Sequence, residues 1–315
     1  MKAPLTRSLA AAAVCAALGA MAQPAAAADW SDTSLSWRYG SAFAEPFVNN
    51  AQGGRQDISK NIAALTHASG YKYGSNFFNV DMLFSDNKDP ASCPNFVCTG
   101  SAQEVYVVYR GALSLNKISG KDYGNSWVRD WEGKFGFDMN AKNDAGYSSR
   151  KRMLVLGPSM SMNVPGFLNI GVLALWESNA PCTTFPPAAV GYPPSGCVPR
   201  YDYKTHAALD LSWGIPFGAS GFNFQGYMLV IDNKGRNEFG GPTATETHFD
   251  GAIMYDVGQA MGGPKQTFKV GLEYEYWKNK FGNPTTSIGA GAPGGSGAGP
   301  GATARTPMIR AEYHF

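Results

Sequence analysis

The chain has 315 residues, with 26 lysines and arginines against 24 aspartates and glutamates and a formal net charge of +2. This near-neutral balance excludes the basic surplus that nucleic-acid binding requires. Beyond the first 28 residues no apolar run reaches the roughly 18 residues of a transmembrane helix. A soluble β-protein and a membrane barrel of short alternating strands both remain possible.

The N-terminal segment, residues 1–28, is predicted to be a signal peptide. Lys2 and Arg7 give it a positive start, an apolar alanine-rich run follows, and small residues precede Asp29 as at a cleavage site. We therefore expect an exported protein whose folded part is residues 29–315. Without Lys2 and Arg7 the basic count falls from 26 to 24 and equals the 24 acidic residues.

Period-two alternation of apolar and polar residues predicts twelve strands in the rest of the chain. The clearest lies between Trp127 and Met139, where large apolar residues alternate with charged ones. The strands at 151–162 and 167–177 are apolar on both faces. In chain order the predicted strands are 33–41, 58–68, 73–84, 104–114, 127–139, 151–162, 167–177, 202–213, 222–231, 246–257, 268–277 and 307–315.

The last predicted strand shows what the alternation implies. Successive side chains of a strand point to opposite faces of the sheet. One face of residues 307–315 is apolar and fits lipid, whereas the other is charged and fits water. The apolar face holds Ile309, Ala311, Tyr313 and Phe315, and the polar face holds Arg310, Glu312 and His314.

The connections between the predicted strands differ in length in a regular way. If the mature N-terminus lies in the periplasm, the connections after odd-numbered strands are long and external, and those after even-numbered strands are mostly short. Short periplasmic turns and long external loops are typical of outer-membrane barrels. Together with strands of about ten to twelve residues, they favour an all-β fold, a closed antiparallel transmembrane barrel of about 12 strands. The alternative is an exported β-sandwich, which periodicity alone does not separate from a barrel.

Four cysteines follow the predicted signal peptide, as two pairs within predicted loops. These are Cys93 with Cys98 and Cys182 with Cys197. In an exported protein an even number of cysteines indicates disulfides, and local pairing is the simplest of the three possible connectivities. No histidine accompanies either pair, which disfavours a metal site. We expect neither a metal nor a cofactor.

A barrel of about twelve strands is expected to enclose a narrow aqueous lumen, since eight strands are filled by side chains and sixteen leave a wide channel. Inward-facing aromatic rings beside amides and carboxylates could bind a flat solute that carries hydroxyl groups. The same side chains could instead pack or pair across the lumen. The predicted substrate-binding residues are Phe77, Asn79, Asp81, Tyr106, Arg110, Asn223, Gln225 and Tyr227.

Four segments of the chain, Asp57–Ile62, Thr66–Asp81, Gln103–Arg110 and Arg310–Phe315, resemble a known family. They are similar to the Tsx-type nucleoside-specific outer-membrane channels and their outer envelope protein relatives. The terminal phenylalanine after alternating apolar residues also resembles the closing strand of bacterial outer-membrane barrels. The resemblance implies a monomeric twelve-stranded barrel in the outer-membrane lipid that passes nucleosides passively.

The leading functional hypothesis is therefore an outer-membrane channel for small solutes, most of all nucleosides, and not an enzyme. A phospholipase-like hydrolase is one alternative, because His67 and Ser69 share a strand face, although such a pair needs an orienting third group. We identify no catalytic residue. A structural or adhesive barrel is the other alternative, favoured only by the cysteine-containing loops.

Overall fold

The computed structural model describes residues 28–46, 48–92, 97–182, 196–285 and 298–315. Within them lie twelve long strands, a two-residue strand and two short helices. The strands are β1 Ala28–Phe43, β2 Ile58–Tyr71, β3 Gly74–Ser85, β4 Gln103–Ser114, β5 Val128–Lys142, β6 Arg152–Met162, β7 Phe167–Asn179, β8 Tyr201–Asp202, β9 His206–Pro216, β10 Phe222–Ile231, β11 Glu246–Asp256, β12 Phe268–Lys278 and β13 Thr303–His314; the helices are α1 Leu115–Ser119 and α2 Val257–Ala260.

The twelve long strands form one closed antiparallel barrel. Each pairs with its neighbours in the chain, β7 pairs with β9 past the short β8, and β1 pairs with β13. The pairing of β6 with β7 joins the two ends of the sheet, so no long strand keeps a free edge. Closure satisfies the backbone hydrogen bonds that lipid cannot satisfy. The predicted twelve-stranded transmembrane barrel is confirmed.

The connections are sorted by length between the two ends of the barrel. The end where β1 begins and β13 ends has the two-residue turn 72–73 and the four-residue turn 163–166, whereas the long connections after β7 and β12 leave from the opposite end. Gly166 in the second turn has φ of +74°, and a Cβ there would lie 2.0 Å from the Gly214 carbonyl oxygen. Only glycine fits both restrictions.

The two faces of the strands differ as the alternation predicts. On β1, Leu35 and Trp37 point outward and expose 53% and 43% of their surface, while Ser36 and Arg38 point inward and are buried. The same division recurs on β12, where Leu272 is exposed and the next residue, Glu273, faces inward and is buried. An apolar exterior around a charged interior is the arrangement of a transmembrane β-barrel.

Two details depart from the sequence prediction. The alternation places Tyr203 on an outward face, but β9 begins only at His206, and Tyr203 is 8% exposed beneath the loops. Trp213 keeps its outward position but is only 7% exposed, because the rings of Phe224 and Phe249 lie beside it at centroid distances of 5.3 and 5.7 Å.

No helix in the described ranges is long and apolar enough to cross a bilayer.

A charge placed on the outward face tests the membrane-spanning belt. Leu272 lies at the middle of β12, opposite Ile253 and Ile309, and is 71% exposed. Leu272→Arg should destabilise the barrel by about 2–4 kcal/mol, because the bilayer centre disfavours charge. Tyr313→Arg, near the end of β13, should cost only about 0–1 kcal/mol. Urea unfolding in lipid vesicles measures both, and equal effects would contradict this orientation.

Candidate functional site

The inward faces of the strands carry most of the charge of the barrel wall. Strand register assigns fourteen carboxylates and seven basic side chains to these faces. The acids are Asp32, Asp81, Glu104, Asp130, Glu132, Asp138, Glu177, Asp210, Glu246, Asp250, Asp256, Glu273, Glu275 and Glu312; the bases are Arg38, Lys60, Arg110, Lys134, Lys142, Lys269 and Arg310. The lumen is therefore polar and negative on balance.

All eight predicted binding residues lie on inward faces, in two groups. In the ladder between β3 and β4, Phe77 is directly opposite Arg110 and Asp81 is directly opposite Tyr106, with Asn79 between them on β3. The second group lies on β10, where its three members alternate along one face: Asn223, Gln225 and Tyr227. Strand register thus brings each group together, while their role in binding stays a prediction.

The group on β3 and β4 is tied to the wall by hydrogen bonds. Asn79 Nδ2 donates to Asp81 Oδ1 at 3.0 Å. Asp138 of β5 accepts from Tyr106 Oη at 3.1 Å and pairs with Arg110 Nη1 at 2.5 Å. These contacts fix the polar side chains, because charge-assisted hydrogen bonds hold both partners in place.

Two arginines at the seam between the first and last strands connect this group to β12. Arg38 and Arg310 are directly opposite each other in the ladder between β1 and β13. Arg38 contacts Asp81 Oδ1 at 2.5 Å and Glu273 Oε1 at 3.4 Å, and Arg310 Nη1 donates to Glu273 Oε2 at 3.0 Å. Glu273 thus separates two like charges that would otherwise repel across the seam.

The same series of contacts continues to β10. Arg310 pairs with Glu312, and Gln225 Nε2 donates to Glu312 Oε1 at 2.9 Å. Asn223 Nδ2 in turn donates to Gln225 Oε1 at 2.7 Å. An unbroken line of polar contacts, which we call the lumen belt, therefore runs from Asn79 on β3 to Asn223 on β10. It joins the two predicted groups through residues of β1, β12 and β13.

Inward-facing aromatic residues beside the lumen belt were missed by the sequence analysis. Tyr227 Oη lies 3.2 Å from His248 Nε2, and the His248 ring stacks on Trp277 at a centroid distance of 3.8 Å. Trp277 Nε1 donates to Glu246 Oε1 at 2.6 Å. The signal was present, because Trp277 is two residues beyond the inward-facing Glu275 and so shares its face.

One part of the inner wall is apolar. Its members come from β6, β7, β9 and β10 and are each no more than 6% exposed. They are Met153, Val155, Leu173, Leu175, Ala208 and Ile231. This cluster explains why the sequence of β6 and β7 is apolar on both faces: one face meets lipid and the other fills the lumen near the long loops. There the interior is packed with side chains rather than open as a narrow aqueous lumen.

The long loops close the adjacent mouth of the barrel with a buried cluster of charges. Glu45, in the loop after β1, is 4% exposed and lies among three lysines. Its Oε1 pairs with Lys60 and lies 3.1 Å from Lys280 Nζ, and its Oε2 lies 3.5 Å from Lys142 Nζ. Burial raises the pKa of Glu45, but the three lysines outweigh it and hold this pKa well below its ordinary value.

Two further acids from separate loops complete this cluster, which we call the loop cap. Lys142 Nζ lies 2.9 Å from Asp89 Oδ2 and 2.8 Å from Asp144 Oδ2. Burial raises the pKa of Asp144 to about 6. Lys142 opposes this rise, and the neighbouring Asp89 adds to it. A cavity of about 20 Å³ beside Glu45 and Lys142 has room for one water.

A disulfide fastens the loop after β7. Cys182 and Cys197 are bonded, with their Cα atoms 3.9 Å apart, which confirms the predicted local pairing. Cys182 also forms a β-bridge with Ser148 of the neighbouring loop. In the other predicted pair, Cys98 is disulfide-bonded, while Cys93 lies outside the described residues.

The residues of the hydrolase alternative are not arranged as a catalytic pair. His67 lies on the outward face of β2, opposite Thr33, and its Nδ1 is 2.8 Å from Thr33 Oγ1. Among the described residues no hydrogen bond joins His67 to Ser69. The described ranges also hold no group of three histidine, cysteine, aspartate or glutamate side chains placed to bind a metal.

Comparison with known proteins adds little beyond the general architecture. No family model and no curated protein matches the chain. Among solved structures it is similar to the translocator domain of autotransporter NalP from Neisseria meningitidis, with 12% identity, 98% and 96% of the two chains covered and a TM-score of 0.43. The KdgM and NanC porins are 9% and 12% identical, each over 90% of this chain and 99% of theirs, with TM-scores of 0.39 and 0.38. Because these scores are low, the fold rests on the strand pairing.

The raised pKa of Asp144 predicts that the loop cap loosens as pH rises from 5 to 7. Its contribution is fully present below the unfolded value of 3.8 and is lost as pH passes through about 6. The contribution of Glu45 to stability changes with pH in the opposite direction: because its pKa is lowered, this contribution is lost as pH falls, and only below about 4.5. Hydrogen exchange at the Gly146 amide, which donates to Asp144 Oδ1 at 2.6 Å, reports on the cap.

After correction for intrinsic exchange, wild-type protection at Gly146 should fall between pH 5 and 7, while Asp144→Asn, which cannot ionise, should show no such fall. The exposed Asp57 of another loop, replaced as Asp57→Asn, is the control and should behave as the wild type. An unchanged pH profile in Asp144→Asn would contradict the assignment.

Proposed function

We propose that the protein is a bacterial outer-membrane channel for the passive, selective diffusion of small solutes, with nucleosides as the leading solute class. The observation that carries this proposal is the lumen belt, a line of charged and amide side chains across the inner wall of a closed barrel whose exterior is apolar. A polar interior admits hydrated solutes, which an apolar interior would exclude.

The inward aromatic residues favour nucleosides over other solutes of similar size. Phe77 points inward with 39% of its surface exposed, beside Asn79 and Asp81. A ring can stack on a flat base, while amide and carboxylate groups can bond ribose hydroxyls. The similarity of four segments to Tsx-type channels agrees with this proposal.

The compartment and assembly state belong to the same proposal. The apolar exterior requires a lipid environment, and the predicted signal peptide at residues 1–28 would direct the chain out of the cytoplasm. Every long strand is paired within one chain, so closure needs no second subunit, and we propose a monomer. A hydrolase is not favoured, since His67 binds Thr33 on the outward face.

Single-channel recording in planar bilayers tests the function, and replacing Phe77 tests the solute class. Nucleosides should block the current, and Phe77→Ala should weaken this block about fivefold or more, because stacking on an aromatic ring contributes about 1–3 kcal/mol per base. Phe78→Ala, the next residue on the outward face, is the matched control and should leave the block unchanged. Unaltered block in Phe77→Ala would remove Phe77 from the site, and equal uptake of nucleosides and sugars by liposomes would contradict the specificity.

The loop cap predicts that the channel opens only when the external loops move. Glu45→Gln should increase the open probability, because three buried lysines then lose their shared carboxylate and repel one another. Asp57→Asn, at an exposed pair with Arg55, should not change it. The open probabilities of both variants and the wild type are compared in single-channel recordings at equal protein density. An unchanged open probability in Glu45→Gln would show that the loop cap does not gate the passage.

A further inference from the structure

The inward faces of the barrel have an excess of negative charge that the whole chain does not have. Without residues 1–28 the chain has equal numbers of acidic and basic residues, yet fourteen carboxylates and seven bases of the strands face the lumen. Exposed lysines outside the barrel wall, such as Lys88, Lys121 and Lys265, supply part of the balance. If the barrel is a channel, as proposed above, this imbalance acts on every ion that enters it.

Acids outnumber bases at the lumen belt. Two arginines there, Arg38 and Arg310, hold three carboxylates: Asp81, Glu273 and Glu312. Both oxygens of Glu273 are used, one by each arginine. Neither arginine forms an ion pair with any other acid of the described residues, although the Nε of each is buried without a hydrogen-bond partner there.

Two further carboxyl groups lie on this wall. Asp250 and Glu275 are directly opposite each other in the ladder between β11 and β12, and only 5% and 8% of their surfaces are exposed. In the described part of the chain Asp250 has no basic partner within 4.0 Å. The strand register places it diagonally across from Glu273, which lies two residues before Glu275 on the same inward face. Buried carboxylates this close repel each other unless a proton or another positive charge lies between them.

Glu275 adds an acceptor that nothing satisfies. Its Oε2 lies 3.6 Å from His248 Nε2, but its Oε1 is buried and has no hydrogen-bond partner among the described residues. Leaving a buried acceptor unsatisfied costs about 1–3 kcal/mol. Three neighbouring carboxyl groups and one unsatisfied buried oxygen together leave a place that a positive charge would stabilise.

We propose that Asp250, Glu273 and Glu275 form a cation-selective filter in the lumen. A monovalent cation, either an alkali ion or a protonated amine, binds between Asp250 and Glu273 and contacts Glu275 Oε1. Acidic side chains that line a pore attract cations and repel anions. Neutral solutes such as nucleosides do not depend on the filter, so the two properties can occur in the same passage.

Reversal potentials in planar bilayers under a salt gradient test this filter. In potassium chloride the wild-type potential should lie towards the potassium equilibrium potential, with potassium severalfold more permeant than chloride. The same measurement in methylammonium chloride distinguishes selectivity for protonated amines from selectivity for alkali ions. A shift in both salts supports a filter for any single positive charge, and a shift in potassium chloride alone supports one for alkali ions.

The variants locate the filter. Asp250→Asn and Glu275→Gln should each lose most of the shift in reversal potential while still conducting. Glu132→Gln is the matched control, because Glu132 also faces inward but bonds Ser159 at 3.2 Å, away from these residues. It removes one lumen carboxylate and should keep the shift. An equal loss in all three variants would assign selectivity to total charge and overturn the local filter.

Circular dichroism in detergent shows whether each variant folds. If a variant does not fold, the wild-type reversal potential alone still tests the filter. A conducting wild type without preference for cations, or with preference for chloride, would overturn the filter and leave the channel function standing. A wild type that inserts but never conducts, with or without its loop cap loosened by Glu45→Gln, would overturn the proposed function and the filter together.

Discussion

The structure depends on one constraint, that backbone hydrogen-bonding groups have no partners in lipid. Each of the twelve long strands therefore pairs on both sides, and the pairing of β1 with β13 is as necessary as any turn. Closure divides the side chains into those that face lipid and those that face the lumen. The apolar exterior and the charged interior follow from this division, while the even number of long strands brings the start of β1 and the end of β13 to the same end of the barrel.

Much of this arrangement could be predicted from the sequence, because strand faces follow a period of two. Leu35 and Trp37 fall outside and Ser36 and Arg38 inside as alternation requires. Proline at position 158 does not break β6, although β6 and β7 show no paired residues between Leu156 and Ser159. Local pattern therefore predicts the wall well, since each residue's face depends only on its immediate neighbours in the chain.

The interior contacts could not be predicted in the same way. Glu45 meets Lys280, 235 residues away in sequence, and Gln225 meets Glu312, 87 residues away. Such partners depend on how far each loop folds over the mouth and on how side chains reach across the lumen. Alternation states that a residue faces inward, but it carries no information about which charge lies opposite.

The direct opposition of Arg38 and Arg310 has a consequence for how the barrel is assembled. Two arginines facing each other disfavour the union of the first and last strands when these strands meet alone. Their union becomes favourable once Asp81 of β3 and Glu273 of β12 stand on either side. Closure of the barrel at this seam therefore depends on carboxylates supplied by strands that do not form the seam themselves or form only one side of it.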